Sequence, residues 1–260
     1  MNRSIFVSAL LVLALGAACK KSSTTGGTPS YVPPGVDIKG TVNTYDDKGN
    51  ALADKSGVKV TIHCRGNDST FVQTTDAAGA YLFPIKSFGL YDVTYERTGM
   101  GTYKYGATNY FNSSATTAPN ILPTVQFGSL STTQIITTTY IDATYNGGPG
   151  MSYTLSVSPD PTTDSRAYFR CFLSTDSTVS YSNFSAYTSA VRSLISNNAT
   201  AGFTRDELVT NFGFPTGQKV WLRVYGESVQ SNEYFDEKIG HKIFPNLSPA
   251  SPAAISFIVP

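Results

Sequence analysis

From Val36 onward the chain alternates apolar and polar residues, in short runs broken repeatedly by turn formers. Val36, Ile38, Gly40 and Val42 alternate with Asp37, Lys39 and Thr41, and Val58, Val60, Ile62 and Cys64 alternate with Lys59, Thr61, His63 and Arg65. A period of two sorts side chains onto opposite faces of a strand, so each run predicts a strand with one face buried. Asp46-Asp47-Lys48-Gly49-Asn50 and Asp76-Ala77-Ala78-Gly79 read as turns, with Asp to bond the backbone and Gly free to take positive φ. Further strands are expected over 69–75, over Ala80-Tyr81-Leu82-Phe83 with Pro84 as the stop, and over 89–95. Residues 98–118, rich in Gly, Tyr, Asn and Ser, read as a long loop or an irregular edge hairpin.

The second half repeats the pattern. Ile135, Ile136, Tyr140, Ile141 and Tyr145 mark one long strand or two, and Asn146-Gly147-Gly148-Pro149-Gly150 is a strong turn. Strands follow over 153–158, 166–174, 218–227 and 254–259. The expected class is all-β, two β-sandwiches in tandem over 35–130 and 131–260, each folding by itself around a joint at 128–131. The second sandwich carries an insertion near 183–217 in which Tyr187, Val191, Leu194 and Ile195 fall on one helical face. Thr204-Arg205-Asp206-Glu207 is a capping-box pattern opening a short helix through Leu208 and Val209 to Phe212, ended by Gly213 and Pro215. Such an insertion would cover one sheet or build a ligand-binding rim.

Charged residues make up 14% of the chain, against about 25% in average soluble proteins. Ser, Thr, Asn and Tyr supply the polar surface instead, a composition common in extracytoplasmic β proteins. A net charge of +1 gives no footprint for nucleic acid and no attraction to an anionic membrane surface. Cys64 and Cys171 lie in apolar strand-like runs and read as buried free thiols, the alternative being a disulfide that bridges the two halves.

The N-terminus has the layout of a secretory leader: Arg3, an apolar run over 5–15 too short to span a bilayer, then small residues. Leu15-Gly16-Ala17-Ala18-Cys19 resembles a lipobox, the site at which bacterial lipoproteins are diacylated on the cysteine and cut before it. The resemblance implies a signal peptide over 1–18, lipidation of Cys19 and a membrane anchor. Residues 19–34, with Pro29, Pro33 and Pro34 among Ser, Thr and Gly, then form a flexible tether. Surface-exported lipoproteins of some Gram-negative bacteria carry an acidic signal after the cysteine, for which Lys20-Lys21-Ser22-Ser23 is no match, so the leaflet stays open.

Gly40-Thr41-Val42, Val58-Lys59-Val60-Thr61, Thr75-Asp76-Ala77-Ala78-Gly79-Ala80-Tyr81 and Gly89-Leu90-Tyr91 together resemble the carboxypeptidase-regulatory-like domain, a transthyretin-like β-sandwich. Lys219-Val220-Trp221-Leu222-Arg223-Val224-Tyr225 resembles the penultimate strand of fibronectin type III-like domains. The regulatory-like resemblance implies no peptidase activity, because in that family zinc and its acid/base belong to a separate catalytic domain.

The sequence holds no Gly-x-Ser-x-Gly elbow, His-Glu-x-x-His, phosphate loop or dinucleotide fingerprint. His63 and His241 read as surface residues, and Asp46/Asp47, Asp160/Asp164 and Asp236/Glu237 sit beside turn formers, where acids serve the backbone. The expectation is a protein that is no enzyme and needs no cofactor or metal. One constellation points to binding. If Val220, Leu222 and Val224 face the core, Trp221, Arg223 and Tyr225 share the opposite face, and pairing with 166–174 sets Tyr168, Arg170 and Phe172 beside them. Aromatic rings interleaved with guanidinium groups suit sugars, whose C–H faces stack on π surfaces while Arg bonds the hydroxyls. The competing reading buries this face under the insertion or the first sandwich. Tyr103, Tyr105, Tyr110 and Phe111 form a second aromatic group. Asn-x-Ser/Thr sequons at Asn67, Asn112, Asn183, Asn198 and Asn246 read as chance in a Ser/Thr-rich chain, and Asp68-Ser69-Thr70 and Asp176-Ser177-Thr178 resemble an O-glycosylation motif of some Gram-negative envelope proteins.

The arrangement as a whole resembles the two-domain lipoproteins that accompany outer-membrane glycan-import systems. It implies an outer-membrane envelope lipoprotein with a glycan, a transporter or another envelope protein as partner. The rival reading is a structural adaptor with no small-molecule site.

Overall fold

The computed structural model describes residues 35–87, 89–110 and 119–260. The leader, Cys19, the tether and Phe111 lie outside the described residues, as does the side chain of Tyr110. The protein is all-β. The first half contributes β1 (Gly35–Tyr45), β2 (Lys59–Cys64), β3 (Thr70–Thr74), β4 (Ala80–Ser87), β5 (Gly89–Arg97), β6 (Met100–Tyr110), β7 (Asn120–Ile121) and β8 (Val125–Gly128). β1 pairs antiparallel with β4 and, on its other side, parallel with β7 and then β8, and the facing sheet has the order β3-β2-β5-β6. Ile38 and Val42 of β1, Val60, Ile62 and Cys64 of β2, and Tyr91, Val93 and Tyr95 of β5 are buried between the sheets, the face their alternation predicts. Gly40 sits in the same row because a Cβ there would fall 2.3 Å from the Tyr81 hydroxyl, which meets the Tyr95 hydroxyl at 2.9 Å in the core. The turn before β4 is built as expected, with Asp76 Oδ1 accepting from the amides of Ala78 and Ala80 and Gly79 at φ +83°.

One expectation in this half changes. β4 runs through Pro84 instead of stopping there. It is an edge strand, and the register with β1 slips between Val36 and Ile38, so the missing amide costs no ladder bond. Of the two readings of 98–118, the irregular edge hairpin is the one the described residues show: 100–110 form β6, the edge strand, hairpinned onto β5 through Gly99 at φ +77° with two register shifts.

The second half contributes β9 (Gln134–Tyr140), β10 (Thr144–Tyr145), β11 (Gly148–Ser158), β12 (Ala167–Ser174), β13 (Ala186–Tyr187), β14 (Arg192–Leu194), β15 (Ala199–Thr204), β16 (Lys219–Gly226), β17 (Tyr234–Asp236), β18 (His241–Ile243) and β19 (Ile255–Ile258). β11 is flanked by β9 and β10 on one side and β15 on the other, while β12 pairs with β13, β14 and β16, and β16 with β19. Tyr153, Leu155, Phe169, Cys171, Phe203, Val220, Leu222 and Val224 fill the core. Cys64 and Cys171 are free and buried.

The helix expected through Tyr187, Val191, Leu194 and Ile195 is absent; those residues lie in β13 and β14 and the chain between and just after them, and Ile195 is exposed. Pairing with β12 has overridden the local period. The capping box does form: Thr204 Oγ1 accepts from the Glu207 amide and Glu207 Oε2 from the Thr204 amide. It opens a π-helical turn over Glu207–Asn211, in which the Phe212 amide donates to Glu207 O, with Gly213 at φ +76° behind it.

Between β16 and β19 the chain leaves the second sandwich, runs along the first as a strap over 227–254, and returns. Both sandwiches lie in one compact unit, Pro34–Pro260. The Val229 amide donates to Asp47 O. Asn232 Nδ2 and Asn246 Nδ2 both donate to Gly128 O, at 3.0 Å each, and the Gly128 amide donates to Asn232 Oδ1. The β17–β18 hairpin of the strap reaches β2 and β6 through Arg65–Glu237 at 2.8 Å and Lys104–Asp236 at 2.9 Å.

Candidate functional site

The register puts the expected residues on one face. Phe172 stands opposite Arg223 and Arg170 opposite Tyr225, while Cys171 and Val224 point into the core. That face is not an open platform. Phe172, Tyr225 and Arg170 are buried, roofed by Val179, Phe184 and Tyr187 of the 179–187 segment and by Phe244 and Leu247 of the strap. Phe172 meets Phe244 at 5.0 Å, Phe184 at 5.3 Å and Tyr225 at 5.6 Å between ring centroids. The aromatic character of the face therefore serves a second hydrophobic layer, and Phe172, Arg170 and Tyr225 are corrected from ligand contacts to interior residues. Tyr168, Trp221 and Arg223 are half-buried. Lys219 Nζ lies 4.8 Å from the Trp221 ring, and the Arg223 guanidinium lies over Tyr225 with Nε donating to Ser251 Oγ.

Arg170 is instead the hub of a buried polar cluster. Its Nε donates to Glu227 Oε2 at 2.9 Å and its Nη1 to Thr188 O at 2.8 Å, with Glu233 Oε2 2.9 Å from Nη2. Lys242 pairs with Glu233. Burial pushes the Glu227 carboxyl up to about 7, against the opposing pull of Arg170. Because the folded value lies above the unfolded 4.5, folding takes up a proton between the two. Stability is therefore highest below pH 4.5 as far as this group is concerned, and falls as pH rises to 7 and beyond, by ~3 kcal/mol in all. Thermal melts should give a higher midpoint at pH 5.5 than at pH 8.5, and Glu227→Gln should flatten the difference. An unchanged pH slope in that variant would show that another group sets it.

The Thr188 carbonyl held by Arg170 belongs to the wall of a groove of about 550 Å³ between residues 185–192 and the π-helical turn. The half-buried Tyr187 and Phe212 contribute aromatic residues to its lining, and Arg192, Glu207, Asn211 and Ser189 polar ones. Arg192, Glu207 and Phe212 are fixed by the local fold. Arg192 lies over Phe203 at 4.3 Å, donates to Gly202 O at 2.7 Å and stands 3.5 Å from Glu207 Oε1. Glu207 is held by the capping box, and Phe212 packs on Phe203 at 5.4 Å. Asn211 and Ser189 are exposed. This set can stack a ring and exchange hydrogen bonds in both directions. The sequence located the insertion and Glu207; Arg192 enters the groove only because β14 pairs with β12 across 25 residues of chain or so.

Elsewhere, Tyr103 and Tyr105 pack against the first core, and His63 pairs with Asp68 at 2.7 Å. His241 is half-buried against Phe184, a departure from the surface position expected of it. Asp46 and Asp236 accept backbone amides in turns, the use their neighbours predicted. Asn246 is fully buried. Among the described residues no group of three His, Cys, Asp or Glu is placed to hold a metal ion, and no helix is long and apolar enough to cross a membrane.

No protein-family model and no curated protein matches the chain. Solved structures do. A candidate carbohydrate-binding protein from Bacteroides uniformis is 13% identical, with 86% of this chain and 99% of that one covered at a TM-score of 0.28. A DUF3823 family protein from the same species is 11% identical over 87% of this chain and 100% of its own, TM-score 0.29. Another from Parabacteroides merdae is 11% identical over the same shares, TM-score 0.28.

Proposed function

We propose that this chain is a non-catalytic envelope lipoprotein that binds carbohydrate in the groove between residues 185–192 and the π-helical turn. The observation that carries the reading is a single groove that brings the aromatic residues Tyr187 and Phe212 together with the fixed Arg192–Glu207 couple and the exposed Asn211. Its volume lies within the range of small-molecule sites. Glu207, the carboxylate on its lining, is committed to a cap and to Arg192, which supports binding over acid/base chemistry. Two sandwiches in series support the resemblance to a regulatory-like domain followed by a fibronectin type III-like one. A glycan array probed with soluble 22–260 tests the reading. Asn211→Ala with Ser189→Ala, both exposed, should leave stability unchanged and weaken any hit about tenfold. An unchanged array profile would remove the groove from the site.

The anchor is tested separately. Cys19→Ser should release the protein from the membrane fraction; retention after high-salt and carbonate washing would overturn lipidation. A second reading, an adaptor that docks on another envelope protein, is favoured by the burial of Tyr225 and Phe172, since the face that promised a platform is largely closed.

A further inference from the structure

A second cleft lies where the strap hairpin crosses the first sandwich. It measures about 510 Å³ and is lined by His63, Arg65 and Asp92 of β2, its following turn and β5, by Lys104 and Tyr105 of β6, and by Phe235 of β17. Phe235 is 58% exposed, although burying such a ring would stabilise the fold by about 1.5–3 kcal/mol. A ring left open against walls of hydrogen-bonding groups is suited to stacking on a sugar.

The charges in the cleft are not equally committed. Arg65 holds Asp92 through two nitrogens, Nε at 2.9 Å and Nη2 at 2.7 Å, a fork that fixes the guanidinium. Its remaining carboxylate contact is Glu237 at 2.8 Å, whose side chain is 60% exposed. An ion pair that open to water is worth about 0–1 kcal/mol. Glu237 thus occupies, weakly, a place built for a carboxylate. Lys238 beside it has no ion pair among the described residues and lines the same cleft. Lys104, paired with Asp236, adds a third cation.

We propose that this cleft binds a uronic acid unit of an acidic polysaccharide: the pyranose ring stacks on Phe235 while its carboxylate displaces Glu237 from Arg65. Asp92 then accepts from ring hydroxyls, and Lys238 neutralises the released Glu237. A neutral sugar has nothing to displace Glu237 with and meets it across the mouth of the cleft. The inference concerns a different site from the groove and stands or falls without it.

Titration calorimetry of soluble 22–260 at low salt, with galacturonate and mannuronate trimers as probes and the corresponding galactose and mannose trimers as controls, tests it. One of the uronates should bind, and its neutral counterpart at least tenfold more weakly. Phe235→Ala and Arg65→Gln should each weaken binding about tenfold or more. Glu237→Gln should tighten it several-fold, because the internal competitor is gone; a merely structural ion pair would give no change or a loss. The Asn211→Ala, Ser189→Ala protein should bind the uronate as the parent does, which separates this site from the groove. Failure of both uronates, equal binding of the neutral trimers, equal binding of a hexaglutamate peptide, or no gain from Glu237→Gln would each overturn the proposal.

Discussion

At pH 8.5 Arg170→Met should destabilise the protein by about 3–5 kcal/mol, because the buried Glu227 carboxyl loses its partner. That carboxyl must then either stay ionised unpaired or take up a proton from alkaline solution, and the cost should shrink at pH 5.5, where Glu227 is protonated. The Thr188 carbonyl loses its donor at the same time. For a chain of this size the loss corresponds to a fall of roughly 10 °C or more in the melting midpoint. The double variant with Glu227→Gln should recover much of it, since a neutral amide tolerates burial far better than an orphaned carboxylate. A cost under ~1 kcal/mol for Arg170→Met would mean that water reaches the cluster. The position was singled out from the sequence as an outward guanidinium, and its largest effect is expected on stability.

Asn246→Ala should be nearly as severe. Asn246 is fully buried; its Nδ2 donates to Gly128 O and Gln230 O and its Oδ1 accepts from Asn232. Truncation removes the Asn246 donor from Gln230 O and one of two bonds each from Gly128 O and the Asn232 side-chain amide, at ~1 kcal/mol or a little more per buried bond, so about 3–4 kcal/mol in all. It also weakens the strap's connection to Gly128, which Asn232 then holds without Asn246. Calorimetry should then resolve two unfolding transitions where the parent gives one. A single, uniformly shifted transition would mean that other strap contacts keep the halves coupled, and two transitions already in the parent would favour sandwiches that fold separately.

Legibility followed range. Where one strand's own neighbours decide its state, as in Val58 to Cys64 or at the Asp76–Gly79 turn, the alternation and the turn chemistry carried the structure directly. The capping box at Thr204 and Glu207 was readable for the same reason. Pro84 misled because its meaning depends on whether the strand is an edge, a fact about partners and not about the residue. Tyr187, Val191 and Leu194 satisfy a helical period by composition, yet Tyr187 and Leu194 take their register from β12, a partner distant in the chain that no local period reveals. The strap was least legible of all. Its Asn, Ser and Pro residues show no period, and nothing local marks Asn232 and Asn246 as interior side chains or Phe235 as a cleft residue. Alternation places the outward face of β12 and β16, and the reading that buries it under the insertion is the one the structure bears out through Phe184 and Tyr187; the part of the roof that nothing local signals is Phe244 and Leu247 of the strap.

The pairing of β1 with β8 has a mechanical consequence. The two strands run parallel, with Val42 beside Val125 and Tyr45 beside Gly128, and β1 opens the first sandwich while β8 leads out of it. A load applied between the N-terminal side of the chain and the second sandwich therefore pulls the start of one strand against the end of its parallel neighbour. The ladder is then strained lengthwise, all its hydrogen bonds at once, instead of being peeled open one by one. Such a joint resists steady tension far better than a hairpin would, and the first sandwich is a rivet in the line of force between the N-terminal side of the chain and the second sandwich.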